Sequence, residues 1–265
     1  MNNINLGKYI PIESYVHKLD ARTKILISIW LIVILFLMHS YLSFVVAFFA
    51  LVLMIYFSDL SIKFFIKGIK PLVWLILLTA ILQLLFTTGG VVYWHWLFLN
   101  ITSNGVHYSI VIFLRFFLIV SYASLLTMTT SPLMISDGLG SLLKPLKYLH
   151  LPIDQFTLML SIALRFIPTL LDETIIIMDS QRSRGVDFND GGLFKRMKTF
   201  IPILIPLFIN TINKANDLSI AMEARGYDDQ IDRTHYRQLK FSKLDLIALL
   251  FILIISVLEL RLPII

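Results

Sequence analysis

The chain has 265 residues, 57% hydrophobic and only 15% charged, with a mean hydropathy of +0.81. Soluble domains of this size carry about 25% charged residues, so composition excludes a soluble globular fold and a disordered chain alike and leaves a polytopic membrane protein. The net charge of +6 reads as membrane topology rather than nucleic-acid binding, and the absence of cysteine removes disulfides, thiolate metal sites and thiol chemistry.

The first apolar run starts at Ile25, behind a polar stretch of more than 20 residues and with no small-residue cleavage site after it. It does not read as a cleavable signal. Ile25–Met38 and Tyr41–Phe57 are together too long for one crossing and predict a tight helical hairpin around His39-Ser40. Pro71–Phe86, Val106–Met128 and Leu244–Leu260 are three further runs. Lys and Arg mark alternate loops. Lys8, Lys18, Arg22 and Lys24 precede the first run, and Lys63, Lys67 and Lys70 lie between the second and third. The loop from Thr87 to Gly105 has no charged side chain. That alternation predicts five spans, the N-terminus inside and the C-terminus outside. Tyr93, Trp94 and Trp96 in the uncharged loop fit an interfacial aromatic belt. Arg115 is the one charge deep in a span, and marks either a function or a structural tie to carbonyls or a partner carboxylate.

Ser131 to Lys243 carries 14 basic and 12 acidic residues yet stays rich in Leu, Ile and Phe. It predicts long amphipathic helices on the cytoplasmic side. A short helix from Pro132 to Leu143 stops before Pro145. From Pro152, a stripe of Ile153, Phe156, Leu160, Ala163, Ile167 and Leu170 recurs at intervals of three and four. Pro168 should bend this helix, and Gln181-Arg182-Ser183-Arg184-Gly185 should stop it. A second pattern has Phe194, Met197, Ile201, Leu204, Ile205, Phe208 and Ile212 on its apolar face. Pro202 and Pro206 imply a kink or a break, and the pattern ends at Met222-Glu223-Ala224-Arg225-Gly226.

The two endings match. Ser183-Arg184-Gly185-Val186-Asp187 and Ala224-Arg225-Gly226-Tyr227-Asp228 share the order small, Arg, Gly, apolar or aromatic, Asp. Either alone is an ordinary helix stop. As a pair, they suit a two-fold partner that takes one basic tip in each of two equivalent grooves, because the Arg fork pairs with carboxylates and caps carbonyls. The chain has no P-loop, no H-E-x-x-H and no G-x-S-x-G, and its six histidines are scattered. No catalytic residue is assigned. An intramembrane enzyme acting on lipid and a scaffold that anchors a complex without transport are the competing functional readings.

These residues resemble the transmembrane T component of energy-coupling factor (ECF) transporters, a family that includes the cobalt-transport permease subunit. Ser14-Tyr15-Val16-His17-Lys18-Leu19-Asp20-Ala21-Arg22-Thr23-Lys24 is similar to the family's S-x-x-H-x-L-D-P-R-T-K, with Ala21 for Pro. Arg165-Phe166-Ile167-Pro168-Thr169, Glu173 and Gln181 to Gly185 are similar to R-x-x-P-T…E…A-Q-x-x-R-G, with Ser183 for Ala before Arg-Gly. Ala224-Arg225-Gly226 is similar to the second Ala-Arg-Gly motif.

The resemblance implies an all-α polytopic protein in a prokaryotic cell membrane, with about five transmembrane helices plus long cytoplasmic coupling helices. Residues 1–130 would hold four spans, 131–242 the coupling helices and 243–265 the last span. It implies a non-catalytic subunit that converts motion of two ABC-type ATPases, a homo- or heterodimer, into uptake of a vitamin or other micronutrient by a membrane S component. Ser183, Arg184, Gly185, Ala224, Arg225 and Gly226 would engage the ATPases. Arg165, Pro168, Glu173, Gln181, Glu223, Asp187 and Asp228 would support the coupling helices, and Phe156, Leu160 and Ala163 would meet the S component. This chain would bind no metal or cofactor; ATP and magnesium would belong to the ATPases. The lipid bilayer is the remaining partner, with no nucleic acid.

Overall fold

The computed structural model describes residues 9–38, 40–96, 99–149, 151–188, 192–228 and 241–261. The protein is an all-α membrane protein with one small strand pair. The chain falls into two units, Met1–Leu142 with Leu239–Ile265, and Leu143–Gln238.

The first unit contains α1 (Ala21–Leu37), α2 (Tyr41–Phe57), α3 (Ile62–Phe86), β1 (Val92–Trp96), β2 (Leu99–Thr102), α4 (Ser103–Thr129), α5 (Pro132–Leu143) and α8 (Lys243–Arg261). All five apolar runs are helices. Among the described residues, α3 and α4 are long and apolar enough to cross a bilayer, and α2 is a shorter apolar helix. α3 begins nine residues before the expected Pro71, which sits inside it. Phe65 and Ile69 on this added stretch are buried, and that packing offsets the hydrogen bond a proline removes.

α4 packs against α1, α2 and α3. Leu31 and Leu35 of α1, Phe44 and Leu51 of α2, and Leu118, Tyr122 and Leu125 of α4 form the buried centre. Helices apolar on every side cannot be oriented by polarity. Small residues mark the packed faces instead, among them Ser43, Ala47 and Ala50 of α2 and Ser121 of α4, all buried. The turn between α1 and α2 is short, as expected, but the two helices share no extended contact. Each packs on α4 and α8 instead. Arg115 donates from Nη2 to the Met38 carbonyl at 2.8 Å, at the C-cap of α1. It is therefore a structural tie to a carbonyl.

The uncharged loop forms an antiparallel ribbon, with Trp94 opposite Ile101 and Trp96 opposite Leu99. The aromatic pattern predicts an interfacial segment there but not the strand pairing. Pairing satisfies the backbone polar groups where water is scarce.

The second unit holds a 3₁₀ turn (Lys144–Leu149), α6 (Ile153–Ser183) and α7 (Leu193–Ala224). α6 runs through Pro168, and α7 runs unbroken through Pro202 and Pro206. The break allowed for at these prolines is absent.

Candidate coupling site

The ends of α6 and α7 are built alike. Arg184 and Arg225 are the C-cap residues, at φ −87° and −90°. Gly185 and Gly226 follow at φ 85° and 75°. A side chain in that left-handed region costs about 1–2 kcal/mol, which explains glycine at both places. After α6, the Gly185 N–H donates to the Arg182 carbonyl at 2.9 Å and the Val186 N–H to the Gln181 carbonyl at 3.1 Å. After α7, the Gly226 N–H donates to Glu223 at 2.9 Å and the Tyr227 N–H to Met222 at 3.0 Å. Both ends are thus the same double-bonded helix stop, the Schellman motif.

Both tips face solvent. Arg184, Gly185, Arg225 and Gly226 are exposed, and a Cβ on either glycine would meet no atom within 4 Å. Among the described residues, neither the Arg184 nor the Arg225 guanidinium has an ion pair with a carboxylate. Each sits at a helix C-terminus, where the dipole favours a cation. Arg182, two residues back, is held instead: it donates to Asp179 at 3.0 Å and lies over the Phe188 ring.

The tips lie at opposite ends of the helix pair. Phe188, just past the first tip, packs against Phe200 in the first third of α7. Past the second tip, Arg225, Gly226, Tyr227 and Asp228 line a cavity of about 480 Å³ with Leu158, Ile162 and Arg165 of α6. Each tip therefore lies beside the first half of the other helix. Between them, Lys214 of α7 forms an ion pair with Glu173 of α6. These residues are 41 apart, the same interval that separates the two Arg-Gly pairs. A residue that pairs with its own repeat-mate lies near the axis of a two-fold arrangement.

The other expected support residues are placed by this frame. The Gln181 and Glu223 carbonyls close the two stops. Asp187 and Asp228 are exposed just beyond them, and Pro168 is exposed in mid-helix. Phe156 and Ala163 are exposed and Leu160 is half-buried. On α7, Met197, Ile201, Leu204, Ile205, Phe208 and Ile212 point outward, so the expected apolar face is uncovered in this chain. Phe194 lies outside the residues whose side chains are described.

The N-terminal motif does a different job. The Ser14 hydroxyl donates to His17 Nδ1 at 2.7 Å, and His17 Nε2–H donates to the Ile10 carbonyl at 3.1 Å. Asp20 caps α1 through the Arg22 N–H and accepts both Arg22 Nε and Nη2. Lys24 Nζ donates to the carbonyls of His17 and Thr129, both at 3.1 Å. The Asp20 N–H donates to Asp245 Oδ1 at 2.8 Å, and Ser242 donates twice to Asp245 Oδ2. The motif thus knots the starts of α1 and α8 to the end of α4. Sequence reasoning missed Lys214 and Asp245. The 41-residue interval from Glu173 could have found the first. A carboxylate inside the final apolar run could have flagged the second. Burial and the Lys24 charge lower the His17 pKa from its ordinary value.

A membrane-spanning core carrying a helix pair with two exposed basic stops defines the class, and comparison with known proteins gives the family. The cobalt transport protein family, CbiQ, matches residues 13–236, and the chain belongs to it. It is similar to energy-coupling factor transporter transmembrane proteins (EcfT) along nearly its whole length. Identity is 50% with that of Lactobacillus helveticus, over 97% of this chain and 94% of the relative. It is 48% with that of Lacticaseibacillus paracasei, over 94% of each. It is 44% with that of Limosilactobacillus fermentum, over 97% of this chain and 96% of the relative.

Proposed function

We propose that this chain is the energy-coupling membrane subunit of an ECF-type ABC importer. It passes ATP-driven motion of two cytoplasmic ATPases to a separate S component that carries a vitamin or other micronutrient. The observation that carries this reading is the pair of identical, exposed Arg-Gly stops on two helices tied near their axis by Glu173 and Lys214. Two equal tips at opposite ends of one rigid pair suit two similar partners that change their separation. Coupling requires that the chain contact the two ATPase states differently. Arg184 and Arg225 each enter a groove of one ATPase, while ATP and magnesium stay on the ATPases and this chain performs no catalysis. The uncovered apolar faces, with Phe156, Leu160 and Ala163 on α6, suit the S component in the bilayer.

The test is co-purification from detergent of the tagged chain, wild type against Arg184→Glu with Arg225→Glu. Wild type brings down two ATPases and a small membrane protein. The double variant loses the ATPases and keeps the membrane partner. A wild-type chain that emerges alone and monodisperse overturns the proposal.

A further inference from the structure

The two stops share one backbone, but their flanks differ. At the second tip, Leu158, Ile162 and Arg165 of α6 and Leu218, Met222 and Arg225 of α7 line the cavity of about 480 Å³. Each helix contributes the same series, apolar, apolar, Arg, at i, i+4 and i+7, which is a single helical face. The floor is apolar and the rim carries two guanidiniums. Among the described residues, neither guanidinium has a carboxylate partner.

The 41-residue interval identifies the same places at the first tip. The counterparts of Leu158, Ile162 and Arg165 are Thr199, Ile203 and Pro206, and that of Met222 is Gln181. The first tip thus has one guanidinium where the second has two. Ile203 is 3% exposed, whereas Ile162 is only half-buried. Phe188, three residues past Gly185, packs on Phe200 with ring centroids 6.1 Å apart, and Arg182 lies over its face. The chain covers the flank of its first tip with its own aromatic side chain. The residue at the same offset from Gly226 is Asp229, so the sequence supplies no second aromatic plug there.

We propose that the cavity at the second tip is a socket for the ATPase docked there, which rests on the coupling reading above. It receives one apolar or aromatic side chain of that ATPase, in the part that Phe188 plays at the first tip. Arg165 and Arg225 together hold a carboxylate that lies within about one helical turn of the inserted side chain. Insertion excludes water from the rim, and the charge pairing gains strength as the local dielectric falls. The cavity is continuous with the stop itself, since Arg225 and Gly226 line it. Each tip still takes one ATPase; the second adds a socket to the shared Arg-Gly stop.

The test uses the complex purified from cells, with photoreactive p-benzoylphenylalanine in place of Leu158 and cross-linked peptides read by mass spectrometry. The expected product joins this position to an ATPase, at an apolar or aromatic residue with Asp or Glu close by in sequence. The same group in place of Ile176, exposed on α6 and outside the cavity lining, should give no such product. Products that join Leu158 only to this chain beyond Asp228, only to a membrane partner, or to no protein overturn the proposal, as does an equal ATPase yield from Ile176. In parallel, Leu158→Trp fills the socket and Arg165→Glu reverses its charge while leaving the apolar walls. Each should weaken ATPase capture about tenfold and leave capture of the membrane partner unchanged. Ile176→Trp should change neither. Should Leu158→Trp fail to fold, Arg165→Glu, at an exposed position, carries the same comparison. ATPase capture equal to wild type in these variants overturns the socket and leaves the coupling reading standing. A wild-type chain that captures no ATPase overturns both.

Discussion

Two regions spend their polar side chains in opposite ways. Around the N-terminal motif, Asp20, Lys24 and Asp245 are each less than a tenth exposed, and every one is tied within the chain. At the ends of α6 and α7, Arg184 and Arg225 stand in solvent on helix stops that satisfy their own backbone. Both regions carry motifs of the same family. One set of motif residues holds this chain together and the other is offered outward. A motif by itself does not say which. Burial and the destination of each hydrogen bond do.

Substitutions should separate the two regions. The largest stability effect is expected at Asp245. Asp245→Ala strands the buried Asp20 N–H and removes the carboxylate that accepts from Ser242 at the start of α8. It should cost about 3 kcal/mol, seen as a large fall in Tm of the purified chain. The chain that still folds should capture its partners as wild type does. Gly226→Val should cost about 2 kcal/mol locally, because a β-branched residue resists φ near 75°. Its signature is accelerated proteolysis after α7 and loss of one partner, with Tm of the membrane unit unchanged. The Glu173–Lys214 pair is partly exposed. A double-alanine cycle should give a coupling energy of about 1 kcal/mol and a looser helix pair by cross-linking distance.

The smallest effect concerns pH. The folded-state pKa of His17 lies below its ordinary value, because burial, then Lys24, disfavours the imidazolium. The folded state therefore binds fewer protons than the unfolded chain near pH 6.5. Stability from this group is present above that value and is lost as pH falls through it. Thermal unfolding from pH 7.5 to 5 should show a decline that His17→Gln reduces, with no change in partner capture.

The sequence was most legible where a pattern is local. All five apolar runs, α5 and both helix stops are marked by side chains within a few residues of the element. The Arg-Gly repeat was legible because a Schellman stop needs glycine in a fixed place. The missed features depend on distant partners. Asp245 reaches back 225 residues to the Asp20 N–H. α1 and α2 part because α4 and α8 offer better packing than each gives the other. Prolines 71, 202 and 206 lie within continuous helices because tertiary packing outweighs one lost bond. The ribbon at 92–102 forms from a loop whose backbone groups must pair in or near the bilayer.

The central claim is that the two stops are equivalent docking tips. The chain has no cysteine, so one introduced thiol is unique. Ser183→Cys and Ala224→Cys place it beside Arg184 and Arg225 without removing either. In the complex purified from cells, each variant is treated with a short bifunctional thiol-to-amine reagent. The account predicts that each cross-links to one ATPase, with Tyr148→Cys on the 3₁₀ turn as a silent control. Cross-linking from only one tip, or from neither, would contradict it.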